Sequence, residues 1–168
     1  AGERALSSME RVHDVDRTPA DRLLYAQTLL WNGKARMVQD DDVGAKELFE
    51  RALNYAGAMD DGLERAKVEL RCQVALGELA RARRDIEGAI KLIRRAVEVG
   101  ESALVSESPD RGIQLGLARA YVIFGDLSMS EKELTVQDAF DSFQDARRVL
   151  DEMAQGGATR DRDVLELA

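Results

Sequence analysis

Side chains that could do chemistry are few. The 168 residues contain one His and one Cys. His13 follows Glu10 at the Glu-x-x-His spacing of carboxylate-bridged di-metal bundles, but such a centre needs two copies of the motif and two further Glu. A zinc site built from thiolates or imidazoles is short of ligands for the same reason. No metal is expected, and His13 reads as a surface residue. Cys72 falls on an apolar stripe with no His near it in sequence to act as a base. A buried, inert thiol is therefore the expectation rather than a nucleophile. A Ser-His-Asp relay would have to run through His13, which nothing local supports. Gly112 and Gly116 lie in an apolar stretch that lacks the Gly-Lys-Ser or Gly-Lys-Thr of a phosphate loop. Asp40-Asp41-Asp42 lacks the ligand spacing and closing Glu of a calcium loop. Like Asp60-Asp61, it sits where a helix is expected to begin, and capping and the helix dipole explain such acids. No enzymatic activity, cofactor or metal follows from these residues.

The rest of the composition concerns the elements. Twenty-four basic and 32 acidic side chains give a net charge of −8. A surface that negative repels phosphate backbones, so nucleic acid is not an expected partner. No apolar run approaches the roughly 20 residues of a membrane span, and the N-terminal stretch lacks the basic-then-apolar pattern of a signal peptide. With its single Cys, the chain is expected to be cytoplasmic. Aromatic residues make up only 5%, while Ala, Leu, Glu and Arg dominate, which favours helices over strands.

Helical spacing of apolar residues divides the chain. A short helix is expected over 2–14. Thr18-Pro19-Ala20-Asp21 combines a Thr N-cap, Pro in the first turn and an acid three residues on, and predicts a helix from Pro19 to about Met37. Helices follow over about 43–58, 63–84 and 86–105. The 63–84 helix has two apolar stripes, Leu63-Ala66-Leu70-Val74-Gly77 and Val68-Cys72-Leu76-Leu79, so it should be sandwiched between neighbours. Ser108-Pro109-Asp110 opens another helix reaching about Phe124, with 126–135 either its continuation or a loop. The helix over 136–154 carries Ala139, Phe140, Phe143, Ala146 and Leu150 inward, Gly156-Gly157 ends it, and Thr159 caps a last segment over 159–168. No stretch alternates with period two, so no strands are expected.

The helices come in similar pairs. The second helix of each repeats a small–large–small pattern: Ala45-Phe49-Ala52, Ala89-Ile93-Ala96 and Ala139-Phe143-Ala146. The first helices carry Tyr25-Ala26 with Leu29, Leu76-Gly77 with Ala80, and Leu117-Ala118 with Tyr121, and Gly33 and Gly125 lie at matching distances beyond. This pattern resembles the tetratricopeptide repeat family, whose signature runs Leu-Gly, an aromatic, Ala-x3-Phe and Pro. The resemblance covers about residues 18–155. The second pair fits without gaps, whereas the first and third need insertions of about seven and nine residues. The period exceeds the usual length of about 34 residues, the first-helix aromatic survives only as Tyr121, and the closing Pro is displaced or missing. A divergent, long-repeat form is expected.

The fold expected is all-α: a right-handed solenoid stack of antiparallel helical hairpins, about seven to eight helices in one domain over 1–168. The hairpins would span about 18–58, 60–106 and 108–155, with flanking helices over 2–14 and 159–168. Because the flanking segments look like parts of further pairs, and the chain begins without Met, it is expected to be a piece of a larger protein; capping helices at both ends are the alternative. In the family, first helices line a concave face. The resemblance places Leu23, Gln27 and Trp31, then Arg71, Val74, Glu78 and Arg81, then Leu115, Arg119, Val122 and Ile123 on it. It implies a scaffold or regulatory module, part of a larger signalling or assembly protein, that binds a peptide segment of a protein partner. The Arg residues suit an acidic or C-terminal peptide. The Lys/Asn carboxylate clamp for chaperone tails is absent, since Asn32 and Asn54 map elsewhere. Two alternatives stand beside it: self-association into a homo-oligomer through exposed end faces, and a helical-bundle enzyme or metal carrier.

Overall fold

The computed structural model describes residues 18–59, 62–104, 110–130 and 134–166, with side chains up to Gly156. Six helices are present among them: α1 (Pro19–Val38), α2 (Asp42–Gly57), α3 (Gly62–Ala82), α4 (Ile86–Leu104), α5 (Arg111–Ser128) and α6 (Val136–Glu166). The described residues contain no strand. The expected helix over 2–14, with His13, lies outside the described residues, as do Asp60, Asp61, Ser108 and Pro109.

Local chemistry sets the helix ends. Thr18 is the N-cap of α1. Its hydroxyl accepts from the Asp21 N–H, and the Asp21 carboxylate accepts from the Thr18 N–H in return. Asp41, Asp85 and Asp110 cap α2, α4 and α5 by accepting the N–H of Gly44, Gly88 and Gly112 at 3.0, 2.9 and 2.7 Å. Thr135 and Asp138 form the same reciprocal pair at the start of α6. The turns closing the first two hairpins share one design. Asp40 and Arg84 adopt positive φ, at 59° and 63°, and the next N–H, from Asp41 or Asp85, reaches back to the carbonyl of Arg36 or Ala80. This is the Schellman closure, made here without Gly.

Each helix packs against its successor, and α1 also touches α3 as α3 touches α5. Inside every pair the large residue of the second helix sits on a glycine of the first. A Cβ on Gly33 would clash with the Phe49 ring; one on Gly77 would come within 2.6 Å of Ile93, and one on Gly125 within 2.7 Å of Phe143. The flanking alanines of α2, α4 and α6 are buried, so the pairs approach closely. Gly77 thus corresponds to Gly33 and Gly125, not to Ala26 and Ala118 as the sequence alignment of the pairs has it.

The two-striped reading of α3 holds. Val68, Cys72, Leu76 and Leu79 join Tyr25, Leu29, Leu30 and Phe49 of the first pair in one core cluster. Leu70 and Val74 face the other way, toward Ile93, Ile113, Ile123 and Leu127. Helix α5 is two-sided as well, since Leu117, Ala118 and Tyr121 pack on Ala146 and Val149 of α6. Each fully buried aliphatic or aromatic side chain contributes roughly 1.5–3 kcal/mol.

Several expectations are corrected. Helix α6 runs through Gly156 and Gly157 to Glu166, so neither the glycine stop nor a Thr159 cap occurs there. Gly lowers helix propensity by about 1 kcal/mol without forbidding helix. Helix α5 starts at Arg111 and continues to Ser128, where the turn begins. Phe140, at 55% exposure, and Leu150 face outward, because the inner stripe of α6 runs through Ala139, Ser142, Ala146 and Val149.

Candidate functional site

Three helices supply the candidate face: α1, α3 and α5. Among the described residues, no Cα of α2 comes within 8 Å of one in α4, and none of α4 within 8 Å of one in α6. The odd-numbered helices therefore lie closer together than the even-numbered ones. Where they meet is a cavity of about 170 Å³ lined by Lys34, Arg71, Val74, Glu78, Leu115 and Arg119, with Gly112 and Gly116.

The helical register explains this gathering. On α3, Arg71, Val74 and Glu78 follow one another at helical spacing on the side between its two core stripes. On α5, Leu115 and Arg119 do the same. Small residues let the cations reach. The Arg71 guanidinium lies over Gly112, where a Cβ would be 3.2 Å from Nη2, and Gly116 is packed on Leu70 so tightly that a Cβ would come within 2.6 Å of it. Arg119 reaches from α5 to α3, donating through Nη2 at 2.6 Å and Nε at 3.1 Å to one oxygen of Glu78. Arg119 is well exposed, so this pair contributes no more than about 1 kcal/mol.

Charge in the cavity is unbalanced. Three cations, Lys34, Arg71 and Arg119, face one carboxylate, Glu78. No ion pair to Lys34 or Arg71 forms among the described residues. Burial, with the guanidiniums of Arg119 and Arg71, pulls the Lys34 ammonium below its ordinary pKa, against the opposing pull of Glu78. Just outside, the Lys34 ammonium stacks 5.4 Å from the centre of the Trp31 ring.

The sequence-derived positions divide accordingly. Arg71, Val74, Glu78, Leu115 and Arg119 come together. Val74 forms the cavity floor and is itself buried. Trp31 is 65% exposed and lies beside the cavity. Gln27 is half-buried on α1, and Val122 is exposed one turn along α5. Arg81 stands apart, paired with Asp126 at 3.2 Å. Ile123 is a correction: only 5% exposed, it belongs to the core with Leu70 and Ile93. Adjacent helical residues are 100° apart, and with Val122 outward Ile123 turns in. Leu23 likewise packs on the first core cluster. Lys34 was missed. Its position one turn beyond Trp31, and two turns beyond Gln27, was the available signal.

Elsewhere, Cys72 is buried and desolvation pushes its thiol up to about 12. Among the described residues no group of three or more His, Cys, Asp or Glu is arranged to hold a metal ion, and no helix is long and apolar enough to cross a membrane. A larger cavity of about 650 Å³ lies along α4, lined by Glu87, Ile90, Lys91, Arg94, Arg95 and Glu98, with Leu134 at its edge. Its charges alternate and partly cancel: Arg95 bonds Glu98 at 3.1 Å, and Arg94 lies over the Phe124 ring.

No protein-family model matches the chain, and no curated protein matches it significantly.

Proposed function

We propose that this chain is a protein–protein interaction module. It is a stack of helical hairpins of the tetratricopeptide type, and it binds an extended acidic segment of a partner protein across the face of α1, α3 and α5. One observation carries the reading: in a protein of net charge −8, three helices each bring a cation to the same cavity, and two of the three have no ion-pair partner. Like charges so placed repel, and a bound carboxylate offsets that repulsion.

The arrangement of helices supports it. Odd-numbered helices in mutual contact and even-numbered ones apart is what a stack does when it bends toward its first helices and offers them as a concave surface. Trp31, Leu115 and Val122 supply exposed apolar surface beside the charges. A few such anchors carry most of the energy in a peptide complex. The reading is non-enzymatic, and it needs no cofactor. Selection of peptides from a random display library should enrich acidic sequences, and the enriched peptides should lose binding to the Arg71→Glu chain. Enrichment without acidic bias, or unchanged binding to Arg71→Glu, would overturn the groove.

A second reading rests on a different observation. Val136, Phe140, Phe143 and Leu150 form an exposed apolar stripe along α6, whereas the corresponding Ile86, Ile90 and Ile93 of α4 are half-buried or buried. Such an end face suits self-association. Light scattering over a dilution series checks it: dissociation on dilution and with Phe140→Ser supports a dimer, and one monomeric mass throughout excludes it.

A further inference from the structure

The cavity between α1, α3 and α5 has a charge surplus larger than a single carboxylate would offset. Lys34, Arg71 and Arg119 face Glu78 alone. Arg119 already gives two donors to one oxygen of Glu78. Arg71 forms no ion pair among the described residues, and its guanidinium lies over Gly112, with Nη2 3.2 Å from where a Cβ would stand. Nearby acids are engaged elsewhere. Asp110 accepts from the Gly112 and Ile113 N–H groups and pairs with Lys67 at 2.8 Å, and Lys67 also binds Glu64 at 2.5 Å. Among the cavity-lining side chains Lys34 and Arg71 are thus left without an ion-pair partner, and the Asp110 carboxylate, which also lies against Gly112, is shared with Lys67.

We propose that this cavity is a phosphoryl-binding subsite, taking a phosphorylated side chain of the bound peptide. The inference rests on the peptide-groove reading and specifies the group that the groove selects. A phosphoryl group carries about −1.5 to −2 at neutral pH, which matches the surplus, and offers three acceptor oxygens. The Arg71 guanidinium fork can take a pair of oxygens, while the Lys34 ammonium supplies a point charge. The volume suits the group and its stem: about 170 Å³ is several times the roughly 30 Å³ share of one water. Val74 on the floor and Leu115 on the wall give the stem an apolar surround.

The test is a titration of the isotope-labelled full chain, followed by NMR at backbone amides and arginine side chains. The probe is N-acetyl-phosphoserine N-methylamide; the comparators are N-acetyl-glutamate N-methylamide and inorganic phosphate. The expected result is saturable shifts confined to Arg71, Arg119, Gly112 and Gly116. Binding should be at least roughly five-fold tighter than that of the glutamate compound, as charge-assisted bidentate contacts to a dianion imply. Arg71→Gln, which breaks no ion pair, should abolish it at an unchanged melting temperature, and Lys34→Gln should weaken it. Scattered shifts, equal binding of the glutamate compound, or retained binding in Arg71→Gln would overturn the subsite. Inorganic phosphate binding as tightly as phosphoserine would overturn its assignment to a peptide side chain. A library-selected peptide that binds the groove equally with and without phosphate removes this inference and leaves the groove standing. Local phosphoserine binding without any peptide binding removes the groove alone.

Discussion

Asp110 shows how one residue couples fold and site. Its carboxylate caps α5 and pairs with Lys67, which bridges it to Glu64. Burial raises its pKa, but the Lys67 hydrogen bond and the two backbone N–H groups outweigh that and hold it below the usual carboxylate value. A carboxylate with a depressed folded-state pKa stabilises above its unfolded pKa and loses that contribution as pH falls through the folded value. Asp110→Asn should therefore destabilise the chain at pH 7 and less at a pH below the depressed folded-state value, where both forms are neutral. Urea unfolding at the two pH values measures the difference, and an equal penalty at both would refute the ionic part of this account. At this scale the sequence was informative where a residue type has one main use. Asp41 and Thr18 were readable as caps, and Cys72 as a buried thiol. It was less informative where orientation decides. Val122 and Ile123 are equally apolar neighbours, and only packing separates the outward one from the inward one. Lys34 carried no motif at all, and its role follows from where α1 lies against α3 and α5.

Element packing rests on close approach. Gly33, Gly77 and Gly125 each admit the large residue of the following helix, so Gly77→Ala should destabilise by about 1–3 kcal/mol through overpacking against Ile93. Phe49→Ala should cost about 3–5 kcal/mol by leaving a cavity in the first core cluster. Arg84 supplies the opposite case. It is exposed and holds φ at 63°, which a side chain disfavours, so Arg84→Gly should stabilise by about 0.5–1 kcal/mol. Thermal or urea melts would measure all three, and a destabilised Arg84→Gly would refute the strain assigned to that turn. The six described helices and the Ala-large-Ala pattern were legible because periodicity reports burial directly. The Gly-to-large pairing was equally present in the sequence, at similar separation in all three pairs, but a glycine inside a helix reads first as a weak point. Gly156-Gly157 misled for that reason: two poor helix formers were taken as a stop, and α6 continues through them.

For the whole molecule, the decisive feature is the contrast between total charge and local charge. Among the described residues the acids lie largely at helix starts and on exposed faces, while Lys34, Arg71 and Arg119 of α1, α3 and α5 converge on one cavity. That convergence was partly legible. The tetratricopeptide resemblance brought Arg71, Glu78, Leu115 and Arg119 to one face, and the structure places them around one cavity. The Arg119–Glu78 pair was not legible, because ion pairs between helices depend on their spacing. It also changes which cation matters most: Arg119 is committed to Glu78 and Arg81 to Asp126, leaving Arg71 and Lys34 as the available charges. The same contrast sets the rival surface, the larger cavity along α4, where Lys91 and Arg95 alternate with Glu87 and Glu98.

Calorimetric titration of one library-selected acidic peptide into four chains tests the central claim most directly: unaltered, Arg71→Glu, Lys34→Glu, and Lys91→Glu on the α4 face. Loss of a charge-assisted contact and its replacement by repulsion should weaken binding by at least about ten-fold in Arg71→Glu and Lys34→Glu. Lys91→Glu should leave affinity within about two-fold, with all four chains equally folded by circular dichroism. Equal affinity across the four, or loss confined to Lys91→Glu, would contradict the assignment of the α1–α3–α5 face as the binding surface.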